Sequence, residues 1–385
     1  MEITKDIRYI GVDDHDIDLF EGQYEVENGM AYNSYVILDE KIAVMDSVEA
    51  RFGEEWLGKL DAALAGREPD YIVVHHMEPD HSANLVRFME RFPGAVMVAS
   101  QKAFGLLGQF YGASYPERSL VVKDKDTLAL GAHTLTFFTA PMVHWPEVIM
   151  SYDDADKALF SADAFGKFGA QDYDDPEGWA CEARRYYFGI VGKYGAQVQA
   201  VLKKLAGLDI ARICPLHGPV LREDIGYYLE TYDTWSSYGV ESEGVAVCYT
   251  SVYGHTKQAA ELLADTLRDL GCPKVAVTDL AREDMHEAVE DAFRYGKLVL
   301  ASTTYDGGVF PIMEDFIRRL TEHNYQKRRI GLIENGSWAP AAAKTMKKLF
   351  EGSKDLTFAD TVVTLRSAMG QDDVPGIEAL AKEML

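Results

Sequence analysis

Cysteine is scarce: four residues in 385, at Cys181, Cys214, Cys248 and Cys272, and no two form a C-x-x-C pair. That leaves a disulfide framework, a zinc ribbon, a rubredoxin-type iron centre and a C-x-x-C-H haem attachment without support. Isolated thiols fit a reducing cytoplasm and read as small buried apolar residues. Positive charge is also short: 38 Lys and Arg stand against 62 Asp and Glu, a net charge of −24. Nucleic acid and anionic membrane surfaces are therefore not expected as partners. No apolar run reaches the roughly 18 residues of a membrane span. The opening Met1-Glu2-Ile3-Thr4-Lys5-Asp6 lacks the basic and apolar regions of a signal peptide. There is neither a G-x-G-x-x-G fingerprint nor a G-x-x-x-x-G-K-[ST] loop, which argues against a dinucleotide site of that kind and against a Walker loop.

What is present suits two domains. The length exceeds one ordinary core, and 47% hydrophobic with 26% charged residues allows each half to bury a core. Small, polar and Gly residues cluster over 236–244, which predicts a linker and domains of 1–242 and 243–385. Before it, short β-like runs occur at 35–38, 42–45, 71–74, 96–99, 134–138, 148–152 and 158–160, with helix-like stretches at 54–65, 83–91 and 194–205. That mixture predicts a layered αβ sandwich. After it, strands at 245–249, 274–277, 298–301, 330–333 and 361–365 alternate with helices starting near Thr256, Glu283, Pro311, Ala341 and Val374. The alternation predicts a doubly wound parallel sheet of flavodoxin size.

The strongest chemical signal is His76-Met77-Glu78-Pro79-Asp80-His81, just past the apolar run Tyr71-Ile72-Val73-Val74. Imidazoles and carboxylates together suit zinc, iron or manganese. Pro79 is expected to prevent a helix, so that the side chains splay from a tight loop. His144, Asp163 and His217 also follow β-like runs and complete a ligand set for two ions. Their order resembles the metallo-β-lactamase superfamily, whose loop usually reads H-x-H-x-D-H. Glu78 replaces the second histidine of that pattern. It raises the carboxylate count from two to three, favouring a redox iron pair over zinc. His75 reads as a strand-end residue. His15, His133, His255, His286 and His323 show no metal spacing.

In the second half, Cys248-Tyr249-Thr250-Ser251-Val252-Tyr253-Gly254-His255-Thr256 joins a strand to a helix. Hydroxyls at Ser251, Tyr253 and Thr256, with Gly254 for close approach, suit a phosphate on helix N-terminal amides. This is the flavodoxin way of holding FMN. Two more strand-end loops add to it: Thr303-Thr304-Tyr305-Asp306-Gly307-Gly308 and Asn335-Gly336-Ser337-Trp338. Tyr305 and Trp338 are candidates to flank a planar ring. The expected contacts include Val252 and His255.

The two halves together resemble the flavodiiron proteins over essentially the whole chain. The resemblance rests on H-x-E-x-D-H ahead of a flavodoxin-like half. It extends to Asn28-Gly29-Met30-Ala31-Tyr32-Asn33-Ser34-Tyr35, His144-Trp145-Pro146, Phe160-Ser161-Ala162-Asp163-Ala164-Phe165-Gly166 and Arg184-Arg185-Tyr186-Tyr187. It implies that His76, Glu78 and His144 hold one iron, that Asp80, His81 and His217 hold the other, and that Asp163 bridges them. It further implies reduction of dioxygen to water or of nitric oxide to nitrous oxide. Tyr186 or Tyr187 is implied as a proton donor, with a packed ring as the alternative. Fused rubredoxin and flavin-reductase modules are not expected here, so electrons would come from a separate rubredoxin or a reduced deazaflavin. A head-to-tail homodimer, or a dimer of dimers, would bring one chain's FMN to the other's iron. The rival readings are a binuclear zinc hydrolase fused to a flavodoxin-like module, and a pure electron-transfer flavoprotein.

Overall fold

The computed structural model describes residues 1–173 and 175–385. These fall into two compact units, Met1–Tyr187 with Ala196–Asp233, and Phe188–Gly195 with Thr234–Leu385. The chain changes unit inside the helix Ile225–Ser236, ahead of the expected 242/243 cut. Local packing explains the difference: Trp235 lies against Phe188 (ring centroids 6.1 Å apart) and its indole N–H donates to Glu241 at 2.7 Å.

The first unit is built on two sheets. One has six strands in the order Ile7–Tyr9, Tyr35–Leu38, Ile42–Met45, Tyr71–Val73, Val96–Ala99 and Ser119–Val121. The other has five, Thr127–Ala129, Thr134–Thr139, Ile149–Asp153, Ala158–Phe160 and Arg212–Cys214. Tyr35, Ile37, Met45 and Val73 of the first sheet share one core with Leu135, Phe137, Ile149 and Phe160 of the second. The strand Ile42–Met45 is buried at every position, as expected of a strand covered on both faces. Tyr71–Val73 runs parallel to both neighbours, and Ala158–Phe160 runs parallel to Arg212–Cys214, so these strands deliver their following loops to the same side of their sheets. The fold is the expected metallo-β-lactamase-like sandwich. Among the described residues, no helix is long and apolar enough to cross a membrane.

The second unit is one parallel sheet in the order Val275–Asp279, Ser242–Tyr249, Tyr295–Tyr305, Arg329–Asn335 and Thr357–Leu365. Sequence order 2-1-3-4-5 is the flavodoxin-like arrangement, as expected. The helices His255–Asp269, Met285–Arg294, Pro311–Glu322, Ala342–Leu349 and Val374–Glu383 start within two residues of the expected positions. Val245, Val247, Leu263, Val299, Ile333 and Leu380 pack as one buried cluster. The short strand Gly308–Val309, antiparallel to the end of Tyr295–Tyr305, was not anticipated.

Candidate metal centre and flavin pocket

The metal loop departs from expectation in one respect. Pro79 starts a helix: Pro79–Ser82 forms a single α-turn with proline at its first position. A proline there gives up an N–H that has no helical partner anyway, and its fixed φ suits the turn. Asp80 and His81 therefore project from a helical turn, while Glu78 precedes it.

The seven expected ligand residues meet in two clusters, His76 with Glu78, His144 and Asp163, and Asp80 with His81 and His217. In the first, His76 Nε2 lies 3.1 Å from Glu78 Oε2, 3.2 Å from His144 Nε2 and 3.3 Å from Asp163 Oδ2. His144 Nε2 is 3.1 Å from both Glu78 Oε2 and Asp163 Oδ2. In the second, His81 Nε2 is 3.0 Å from His217 Nε2, 3.2 Å from Asp80 Oδ2 and 3.3 Å from Asp163 Oδ1. Donors about 2.0–2.2 Å from a shared ion stand roughly 3.0–3.5 Å from one another. Asp163 turns one oxygen to each cluster, which is the geometry of a bridging carboxylate.

Protons alone do not explain these contacts. His76 Nδ1 donates to Glu147 Oε1 at 2.8 Å, and His217 Nδ1 donates to the Ala31 carbonyl at 2.8 Å. In a neutral ring, each such bond leaves a lone pair on Nε2, aimed into its cluster. Both oxygens of Asp80 and of Asp163, and Nδ1 of His81, are buried without a hydrogen-bond partner among the described residues. Orphaned buried polar atoms of this kind are expensive. A cation in each cluster would satisfy the lone pairs and the carboxylate oxygens together, so the residues fit two metal ions.

The charges point the same way. Burial opposes charge on His76, but Asp163, Glu147 and Glu78 outweigh it and hold its pKa well above the usual histidine value. His144, opposed by burial and favoured by Asp163 and Glu78, is raised to about 9. His217 goes the other way, pushed down to about 3 by burial and by His81. Burial raises Asp80 to about 7, whereas Asp163, against its burial, is held well below the carboxylate range by His76, His144 and His81. The cluster is starved of positive charge.

His75 is not part of it: Nδ1 lies 2.5 Å from Asp46 and Nε2 2.8 Å from Ser151 Oγ. Glu147 was missed by sequence reasoning. Its only signal was proximity to His144, three residues earlier. The two tyrosines differ. The Tyr186 ring is 5.5 Å from His217, and burial with nearby Asp163 holds its hydroxyl pKa well above 10. Tyr187 packs on Tyr232, 5.1 Å away, and Tyr232 packs on Phe165 with tilted rings 4.1 Å apart. Phe20, from the two-residue strand Leu19–Phe20, meets the His217 ring edge-on at 5.4 Å and was not anticipated.

In the second unit a cavity of about 800 Å³ opens at the carboxyl ends of the strands. Of the expected contacts, Ser251, Val252, Tyr253, His255 and Thr256 line it, as do Thr303, Thr304, Tyr305, Asp306, Gly307, Asn335, Gly336, Ser337 and Trp338. Gly254 and Gly308 are not among the lining residues. Gly254 instead takes φ +91° just before the helix His255–Asp269, whose N-terminus has no side-chain cap, and Gly308 pairs with Tyr305 in the small hairpin. Uncapped N-terminal amides leave the helix start open to an anion. Ser251 Oγ accepts from the Gly254 N–H at 3.1 Å and shapes this turn. Ala339, Ser367 and Ala368 also line the cavity and were missed. Ser367 follows the fifth strand, and that strand's end was the signal available. Asn335 fixes it, donating to the Ser367 carbonyl at 2.9 Å and accepting from its N–H at 3.1 Å. Trp338 and Tyr253 stand 90% and 91% exposed, too exposed to be core and free to flank a planar ligand.

These features define a class: a two-metal, β-lactamase-like domain joined to a flavodoxin-like domain. Comparison with known proteins agrees. Residues 30–218 match the model described as ODP family beta lactamase, and residues 246–384 match a flavodoxin domain. A diflavin flavoprotein of Synechocystis is 32% identical over 84% of this chain, which spans only 56% of that relative's length. A nitric oxide reductase of Moorella thermoacetica is 27% identical over 99% of this chain and 97% of its own. The crystal structure of the flavodiiron protein from Giardia intestinalis superposes with a TM-score of 0.89 at 26% identity, covering 100% of this chain and 95% of that one. The chain belongs to the flavodiiron proteins. Its cofactors are FMN and a non-haem di-iron centre.

Proposed function

We propose that the protein is an oxidoreductase that reduces dioxygen to water and/or nitric oxide to nitrous oxide. His76, Glu78 and His144 would hold one iron and Asp80, His81 and His217 the other, with Asp163 shared between them. When bound, the iron pair would supply the redox chemistry, and FMN would be the group through which electrons arrive from an external donor such as rubredoxin or a reduced deazaflavin. The observation that carries this reading is the pair of donor clusters sharing Asp163, with Glu78 as a third anionic ligand that favours iron over zinc.

The chain's own residues supply the rest. Phe20 and Tyr186 wall the His217 side of the centre and keep bulk water from it. The Tyr186 hydroxyl stays protonated beside the carboxylates and holds a proton ready for the reduced product. The uncapped start of His255–Asp269, with Ser251 and Thr256, takes the FMN phosphate, while Tyr305 and Trp338 flank the ring. Two copies pair head to tail so that one chain's FMN serves the other's iron, and the protein works in the cytoplasm.

The test is metal analysis alongside gas consumption. Purified protein, grown without zinc excess, should carry about two irons per chain and consume oxidant when supplied with reduced donor. Zinc as the main bound metal would overturn the redox reading. Replacing Glu78 with His should shift occupancy toward zinc and abolish gas reduction.

A further inference from the structure

Three histidines of the centre have different partners behind them. His76 Nδ1 donates to a carboxylate, Glu147 Oε1, at 2.8 Å. His217 Nδ1 donates to a neutral carbonyl, that of Ala31, at the same distance. His81 Nδ1 is buried with no partner among the described residues. We infer that Glu147 makes the two ion positions unequal, tightening the position served by His76 and leaving the other without an equivalent.

Glu147 is held for this. Its side chain is wholly buried, its carbonyl accepts from Ser100 Oγ at 2.8 Å, and its Oε1 also accepts from the Met77 N–H at 3.0 Å. One oxygen thus grips both the His76 ring and the peptide that leads to Glu78. Oε2 has no partner among the described residues, so no second donor draws charge away. An imidazole whose N–H donates to an anion is the more basic at its other nitrogen and binds metal more strongly. Glu147 also places a buried carboxylate on the His76 side, behind the ring, in addition to Glu78, Asp80 and Asp163.

This inference rests on the two-ion reading above. It is tested by iron release from the anaerobic holoprotein into a strong chelator, read by metal analysis, comparing wild type with Glu147→Gln and Glu147→Asp. The amide keeps the shape and one acceptor but removes the charge. Wild type should release iron in two phases. Glu147→Gln should speed the slower phase about 10–100-fold and leave the other within about twofold, with Glu147→Asp in between. In the reduced protein, one hyperfine-shifted exchangeable imidazole N–H resonance should move in Glu147→Gln while the others hold. Equal acceleration of both phases, or no change in either, overturns the inference while the two-ion reading stands. A wild type that binds a single iron overturns both.

Discussion

Adjacent Tyr186 and Tyr187 carry different neighbours, and so different expected losses. Tyr186→Phe removes a hydroxyl kept protonated by burial and by the carboxylates of Asp163, Glu78, Asp80 and Glu21. Turnover should fall about 10²-fold or more if this proton is the one used, with iron content and flavin reduction unchanged. Tyr187→Phe keeps the ring packed on Tyr232 and should leave turnover within a few-fold. Steady-state gas consumption by the two variants decides between them, and equal losses would remove Tyr186 from the proton path. His133, also buried, makes a pH prediction. Its Nδ1 lies 3.0 Å from both oxygens of Asp153 and its Nε2 lies 3.5 Å from Asp6. Asp153 raises its pKa to about 9 against the opposing effect of burial. A folded pKa above the unfolded value of about 6.5 means stability that is complete below pH 6.5 and lost as pH rises through 9. Urea unfolding of the first unit should show a loss of about 2–3 kcal/mol between pH 6 and pH 10 from this group. His133→Gln should flatten that dependence, and an unaltered profile would contradict it. At this scale the clustering of His76, Glu78, Asp80 and His81 was legible because a strand end followed by four donors is a local pattern. Glu147 and Phe20 were not, because each reaches the centre only through tertiary packing.

Among the elements, the segments that follow strand ends carry the donor clusters and the cavity lining. Ser251→Asp sets a negative charge at an uncapped helix N-terminus that is expected to hold the FMN phosphate. It should cost the protein its FMN while iron is retained, and a fully yellow variant would show that the phosphate sits elsewhere. Leu263, fully buried on the helix His255–Asp269, tests the scaffold: Leu263→Ala should destabilise the second unit by about 2–5 kcal/mol in denaturant unfolding. Strands of four residues or more could be read from apolar runs. Val12–Asp14, Leu19–Phe20 and Tyr24–Glu25 were too short to show a period, and the hairpin that carries Phe20 to His217 went unread with them. A proline mid-helix breaks the helix, so the sequence around Pro79 signals a tight loop. The position of Pro79 at a helix start depends on where the chain turns, which the local pattern does not state.

At the scale of the whole molecule, the domain order and both folds were legible, since a layered run of short strands and a regular β–α alternation look different in sequence. The compact units part at 233/234, a few residues ahead of the expected 242/243 cut, inside the helix Ile225–Ser236, where Trp235 packs on Phe188 and donates to Glu241. The proposed head-to-tail pairing has its own test. One chain made iron-dead by Asp163→Ala and another made flavin-dead by Ser251→Asp should each be inactive. Isolated heterodimers of the two should recover about half the wild-type activity per dimer, one complete iron and flavin pair per heterodimer. Heterodimers no more active than their parents, with iron and FMN confirmed, would contradict electron transfer across the pair.

The central claim, oxidant reduction at a two-iron centre fed by FMN, is tested most directly by mixing anaerobically dithionite-reduced protein with dissolved dioxygen or nitric oxide and following loss of the gas at an electrode. Wild type with about two irons and one FMN per chain should remove at least one gas rapidly, and reduced Asp163→Ala should remove it no faster than free reduced FMN does. Gas loss of equal rate in Asp163→Ala, or in wild type freed of iron, would contradict that claim.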